Sequence, residues 1–216
     1  DLDRKLVSGA FPEEPAPRVR VVDERGELLQ AGDGHAGGGE GHDAVAFMLD
    51  EAGLRSLVEA RLEEGRKPLL LVLDGIQDPH NLGACLRTAD AAGADAVVVP
   101  RHGAAGLGPT VSKVAAGAAE QLPFAPVANL GKTLDWLGEY GVRRIGTSDQ
   151  AGVSLFEADF EGSVALVMGR EHTGLSKGVA NRCDTLVSLP MRGVVSSLNV
   201  SVATGICLYE ILRRRG

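Results

Sequence analysis

Three segments of this chain gather polar side chains next to glycine, each directly after an apolar run. The first is Asp74-Gly75-Ile76-Gln77-Asp78-Pro79-His80-Asn81, continuing through Arg87 to Asp90. If a helix opens there, Asn81 can cap it and Arg87 can pair with Asp90 three residues on. Asn81 and Arg87 stand six apart, about 120° around a helix axis, so both could equally address one cleft. His80 could serve as a base or simply stand in solvent. The second segment is Met168-Gly169-Arg170-Glu171-His172-Thr173-Gly174-Leu175-Ser176. Its G-x-x-x-x-G is followed by Leu175 and Ser176, so it lacks the lysine that a phosphate loop requires, which excludes nucleoside triphosphate hydrolysis. Its glycines still allow close backbone approach to a ligand. Glu171 suits either such a site or the first turn of a helix. The third segment is Leu189-Pro190-Met191-Arg192-Gly193, continuing through Ser196-Ser197-Leu198-Asn199 to Ser201. Ser196 or Ser197 can cap a helix there. Asn199 and Ser201 then fall in its first turns, where polar residues are poor helix formers and hint at a ligand or a partner helix.

The elements that must position these segments are legible around them. Leu69–Asp74 and Ser163–Met168 are continuous apolar runs, the mark of strands covered on both faces. Asp95–Val99, Pro123–Val127, Val142–Gly146 and Thr185–Leu189 read as further strands. Helices are predicted over 51–64, 81–92, 110–120, 130–140 and 197–214. Strands alternating with helices predict an α/β fold with a mostly parallel sheet and helices on both faces. In such sheets ligands bind beyond the carboxyl ends of the strands, where all three segments fall. Residues 1–45 differ. Three prolines cluster at 12–17, and six of the ten residues from Gly32 to Gly41 are glycine. That composition cannot offset its ordering entropy, so it predicts a flexible arm or domain remnant with a Gly-rich linker, with one short strand at Val19–Val22. Residues 46–216 form the main domain.

The chain of 216 residues is long enough to fold without disulfides or metal. Hydrophobic residues at 44% and charged residues at 24% are a soluble globular balance. No apolar run has the length of a membrane span, and the first residues show no signal-peptide pattern, so the expected location is cytoplasmic. Cys85, Cys183 and Cys207 are odd in number and form no Cys-x-x-Cys, which predicts small buried hydrophobes and no metal site. The net charge of −7 is unevenly spread. From Gly169 onward seven Lys/Arg face three acids, a basic region on an acidic body that suits either a solvated surface or an RNA site.

In order and spacing, the three segments resemble the three signature motifs of the SpoU-type (TrmH family) RNA ribose 2′-O-methyltransferases. Asn81 with Arg87-Thr88-Ala89-Asp90 is similar to the first motif. Met168-Gly169-x-Glu171-x-x-Gly174-Leu175 is similar to the second, and Leu189-Pro190-Met191 with Ser196 through Ser201 to the third. The likeness runs from Leu69 to Arg215. The outer two motifs are most similar to those of the bacterial 23S rRNA guanosine enzymes, whereas the middle one resembles the tRNA branch more. The rRNA enzymes carry an N-terminal RNA-binding domain that residues 1–41 are too short to be intact.

The resemblance implies a deep trefoil knot at the C-terminal end, an exception to unknotted topology. It implies S-adenosylmethionine held near Thr147, Gly169, Leu189, Met191 and Leu198, a homodimer, and 23S rRNA as partner. The final helix, with Val200, Val202, Ile206, Leu208 and Leu212, would supply a dimer face or core packing. The implied reaction is in-line attack of a ribose 2′-oxygen on the sulfonium methyl, in which alignment is a large share of the task. Arg87 would sit at the reaction centre. With a guanidinium pKa above about 12 it is a poor base, and a better clamp on phosphate and developing negative charge. Asn81, Glu171, Ser197 and Asn199 would complete the catalytic set. Two rivals are a tRNA guanosine 2′-O-methyltransferase and a catalytically inactive knotted RNA-binding module. A third rival, a dinucleotide oxidoreductase, lacks its G-x-G-x-x-G fingerprint, because Gly75 is followed by Ile76-Gln77.

Overall fold

The computed structural model describes residues 19–22, 46–171 and 173–215; the remainder of the expected arm or remnant lies outside the described residues. Among the described residues, nine strands form one sheet. In chain order they are β1 (Val19–Val22), β2 (Ala46–Leu49), β3 (Leu69–Leu73), β4 (Ala96–Pro100), β5 (Phe124–Val127), β6 (Arg143–Thr147), β7 (Val153–Ser154), β8 (Val164–Met168) and β9 (Thr185–Ser188). Their spatial order is β1-β2-β5-β4-β3-β8-β6-β9-β7. Every pairing is parallel except β1 with β2.

All five residues of β3 and all five of β8 are buried. Because side chains alternate across a strand, the apolar run LLLVL divides between two cores. Leu69, Leu71 and Leu73 pack on one face with helices α2 (Pro79–Ala91), α3 (Pro109–Ala115), α4 (Ala118–Gln121) and α7 (Val200–Arg215). Leu70 and Val72 pack on the other with α1 (Glu51–Glu63), α5 (Leu130–Glu139) and α6 (Lys177–Ala180). Helices therefore cover both faces, as the sequence predicts. Cys85 and Cys207 lie in the first core, and burial pushes their thiols up to about 11 and about 12. Cys183 is half-buried beside the second core, with its thiol also raised to about 12 by burial.

Several expectations are corrected. The helix expected over 110–120 is two helices, because Ala116 and Gly117 take left-handed conformations (φ 53° and 94°) that stop α3. α2 starts earlier than expected: Asp78, not Asn81, is its cap and accepts from the His80 backbone N–H at 2.8 Å. No ion pair joins Arg87 to Asp90 among the described residues. α7 starts at Val200 rather than Ser197. Val200 and Leu208 of α7 are core residues, while Val202 and Tyr209 are exposed. The short β2, β7 and α6 were not predicted.

The last three arginines of the basic region have partners within the chain. Arg213 and Arg214 both grip the buried carboxylate of Glu210, whose pKa they hold down to about 2. Arg215 donates to the carbonyls of Lys67 (3.0 Å) and Gly162 (2.8 Å), which lie just ahead of β3 and β8. It thus fastens the end of α7 to the amino edge of the sheet, opposite the edge that carries the three polar segments. Hydrogen bonds to a charged donor contribute about 1.5–3 kcal/mol when shielded from solvent, and solvent-exposed pairs contribute less. Arg215→Ala is therefore expected to destabilise the fold by about 2 kcal/mol, and the more exposed Arg213→Ala by clearly less. Denaturant unfolding checks the order; equal losses would contradict the fastening role of Arg215.

Candidate functional site

β3 and β8 lie side by side at the centre of the sheet. The chain leaves β3 toward β4 on one side and leaves β8 toward β9 on the other, so a crevice opens where the winding reverses. Buried Asp74, just past β3, ties the two exits together. Its backbone N–H donates to the Met168 carbonyl (2.8 Å), and its carboxylate accepts from the Ser176 backbone N–H (2.7 Å).

The loop after β8 doubles back tightly. Arg170 and Gly174 exchange both backbone hydrogen bonds at 3.0 Å. A Cβ on Gly169 would overlap the carbonyl carbon of Gly174 and the nitrogen of Leu175. Those neighbours are backbone, so no larger residue fits. The hairpin presents Glu171 toward the other two loops.

Glu171 is where the three loops meet. Its Oε1 accepts from Asn81 Nδ2 at 2.9 Å and from Asn199 Nδ2 at 2.8 Å. The Asn199 amide also donates to Asn81 Oδ1 at 3.0 Å. Asn199 caps α7, its Oδ1 accepting from the Ser201 backbone N–H (2.9 Å) and hydroxyl (2.6 Å). The cap expected at Ser196 or Ser197 therefore belongs to Asn199, whose amide nitrogen remains available to Glu171. Asn81 is buried in the first turn of α2.

Two clefts flank this junction. The larger, about 540 Å³, is bordered by the ends of β6, β8 and β9 and by the loop leading to α7. All five residues expected to hold a cofactor line it: Thr147, Gly169, Leu189, Met191 and Leu198. Glu171 and Ser197 line it as well. The smaller, about 410 Å³, is lined by Gly75 to Asp78, Asn81, Arg170, Glu171, Thr173 and Val200. Asn199 contributes to the junction but to neither lining. Arg87 is exposed on α2, lines neither cleft and makes no side-chain hydrogen bond among the described residues, so the chain alone does not bring it to the other four catalytic candidates.

Sequence reasoning missed Asp149, Gln150 and Arg170 as cleft residues. Their position after β6 and β8 was the available signal. Gly146 is also closely packed: a Cβ there would meet Cys183 Sγ and Leu175 Cδ1 at 2.7 Å, so those side chains would have to shift. No group of three or more His, Cys, Asp or Glu among the described residues could hold a metal ion.

Because Gly169 touches backbone, the hairpin cannot relax around a methyl group by a side-chain shift. Gly169→Ala is expected to break the paired bonds of Arg170 and Gly174 and to speed exchange of those two amides at least tenfold in native-state hydrogen exchange. Unchanged protection there would contradict the close approach.

The family model of the SpoU rRNA Methylase family matches residues 68–209. The 23S rRNA (guanosine-2′-O-)-methyltransferase RlmB of Ralstonia nicotianae is 48% identical over 202 residues, covering 93% of this chain and 79% of that protein. The RlmB protein of Shewanella oneidensis is 55% identical over 200 residues, covering 91% and 76%. Among solved structures, the SpoU methyltransferase AviRb from Streptomyces viridochromogenes, in complex with the cofactor AdoMet, superposes with a TM-score of 0.65 at 33% identity, covering 69% of this chain and 59% of that one. The A. aeolicus TrmH/SpoU tRNA modifying enzyme does so at 0.64 and 30% identity, covering 74% and 84%. With the family model spanning about two-thirds of the sequence and these relatives matched over most of their own length, the chain belongs to the SpoU rRNA Methylase family.

Proposed function

We propose that the chain transfers a methyl group from S-adenosylmethionine to a ribose 2′-hydroxyl of RNA, and that the acceptor is a guanosine of 23S rRNA. The observation that carries this reading is the junction of Asn81, Glu171 and Asn199 between two clefts. The named relatives at 48% and 55% identity support the choice of acceptor.

The larger cleft fits the cofactor on its own chemistry. Its volume lies within the few-hundred-Å³ range of small-ligand sites. Leu175, Leu186, Leu189 and Leu198 offer apolar walls for a purine, while Thr147 to Gln150 offer polar groups. Among the described residues its charged side chains are Asp149, Arg170 and Glu171, two anions to one cation, which suits a ligand bearing a positive sulfur. Thr147, Gly169, Leu189, Met191 and Leu198 would hold it. When bound, S-adenosylmethionine supplies a methyl group on a sulfonium, a good leaving group.

The protein's own work is then placement. Asn81, Glu171 and Asn199 hold one another in a fixed array that orients the ribose, and Ser197 borders the same space. Arg87 stays charged and acts on RNA phosphate and on charge developing at the 2′-oxygen. Its exposure outside both clefts means that RNA or a second subunit completes that part of the site. The acting unit in this proposal is a homodimer. α7 exposes Val202 and Tyr209, seven residues apart on one face, and the loop before it exposes Val194 and Val195. Sedimentation at micromolar concentration should read twice the 22.5 kDa chain. The return from β9 to α7, threaded as a deep trefoil knot, a cytoplasmic location, and an RNA-binding arm or remnant over residues 1–45 belong to the same proposal. Among the described residues, no helix is long and apolar enough to cross a membrane.

The test is incubation with methyl-labelled S-adenosylmethionine and, separately, unmodified 23S rRNA and tRNA, followed by digestion to nucleosides. Label in 2′-O-methylguanosine from 23S rRNA is expected; label from tRNA alone would reverse the choice of acceptor. In the same assay Arg87→Ala is expected to lose transfer by at least 100-fold while cofactor binding persists. Unchanged turnover would remove Arg87 from the mechanism.

A further inference from the structure

Arg170 belongs to none of the expected site residues, yet it stands where the two clefts join. Among the described residues, only Arg170, Glu171, Thr173 and Val200 line both. Val200 is buried and apolar. Glu171 is engaged by two amides. That leaves Arg170 as the cation at the seam where donor and acceptor must meet.

The placement of Arg170 is built rather than incidental. Its backbone is held at both N–H and C=O by Gly174. Its guanidinium lies over Gly75, with Nε 2.6 Å and Nη2 2.8 Å from where a Cβ on Gly75 would stand. Gly75 has φ +80°, so the turn itself calls for glycine there, and the guanidinium occupies the space a side chain would take. The Arg170 side chain makes no hydrogen bond or ion pair with the described residues, so its donors are available to a ligand. The C-terminal arginines offer no substitute, since Arg213 and Arg214 hold Glu210 and Arg215 holds carbonyls. Arg87 lines neither cleft.

We propose that Arg170 clamps a phosphate of the acceptor nucleotide, which sits in the smaller cleft beside Asn81, at a position separate from the phosphate that Arg87 contacts from outside both clefts. This rests on the methyl-transfer reading and assigns its acceptor seat. A guanidinium matches phosphate with two parallel N–H···O bonds, which an ammonium cannot reproduce. The two-cleft arrangement would place the phosphate next to the reacting ribose at the seam, where the clamp aligns as well as binds.

The test uses the full chain and the Arg170→Ala and Arg170→Lys variants, with unmodified 23S rRNA as acceptor. Transfer is measured against RNA concentration at several salt concentrations and saturating S-adenosylmethionine. Cofactor affinity is measured separately by calorimetry without RNA. Arg170→Ala is expected to raise KM for RNA about tenfold or more and to lower the slope of log affinity against log salt by about 1. Cofactor affinity should stay within about twofold, and Arg170→Lys should recover part of the loss. Weakened cofactor binding with an unchanged RNA KM would overturn the proposal by assigning Arg170 to the donor's carboxylate. Arg170→Ala behaving as wild type would overturn it as well. Wild-type protein that labels no RNA would instead sink the methyl-transfer reading on which it rests.

Discussion

One carboxylate oxygen of Glu171 receives amide hydrogens from two other loops, and the geometry of the site depends on that meeting. Asn81 comes from the first turn of α2, beyond β3, and Asn199 from the loop after β9, 118 residues apart in sequence and 3.0 Å apart in space. Glu171 is exposed, so each bond is worth only about 1 kcal/mol. That is too little to hold the fold together and enough to choose one loop arrangement over another. The junction therefore acts on precision rather than on stability. Asn199 shows the economy of the arrangement: its oxygen caps α7 while its nitrogen binds Glu171 and Asn81.

Stability comes from elsewhere and serves this meeting. The apolar runs of β3 and β8 feed two cores at once, which fixes the adjacent strands whose ends carry the first and second loops. Asp74 then locks those loops by accepting from Ser176. The third loop is held by α7, which runs from Asn199 at the site edge to Arg215 at the opposite edge. Fastening Arg215 to the segments ahead of β3 and β8 sets where α7 begins, and so where Asn199 points. Gly169 adds a constraint of another kind, because its hydrogen is the largest group the returning backbone of Gly174 and Leu175 tolerates.

Much of this was legible in the sequence because it follows from period and polarity. LLLVL and VALVM read as doubly covered strands, and the three polar segments fall at strand ends as expected. What was not legible depends on contacts between distant residues. Nothing local distinguishes Ser197 from Asn199 as a cap; in the fold the cap is Asn199, which also bonds Glu171, 28 residues earlier. The break at Ala116 and Gly117 required knowing that an alanine would accept a left-handed conformation. The ties of the tail arginines to Glu210 and the Gly162 carbonyl are invisible in a linear count of charges. Arg170 was passed over because a cation in a loop carries no pattern until another loop, at Gly75, is seen beneath it. Arg87 is the converse: the motif marks it, and the single chain leaves it outside both clefts.

If the junction works as a unit, its members cannot contribute independently. The most direct measurement is a double-mutant cycle on methyl transfer to 23S rRNA with Asn81→Ala, Asn199→Ala and the pair together, both partners of Glu171. The account predicts strong non-additivity, with the double variant losing little more than the worse single variant, because Asn81 and Asn199 also bond to each other, so removing either one leaves Glu171 with a single amide that has lost its own partner. Losses that simply multiply would contradict the claim that one carboxylate organises the three loops.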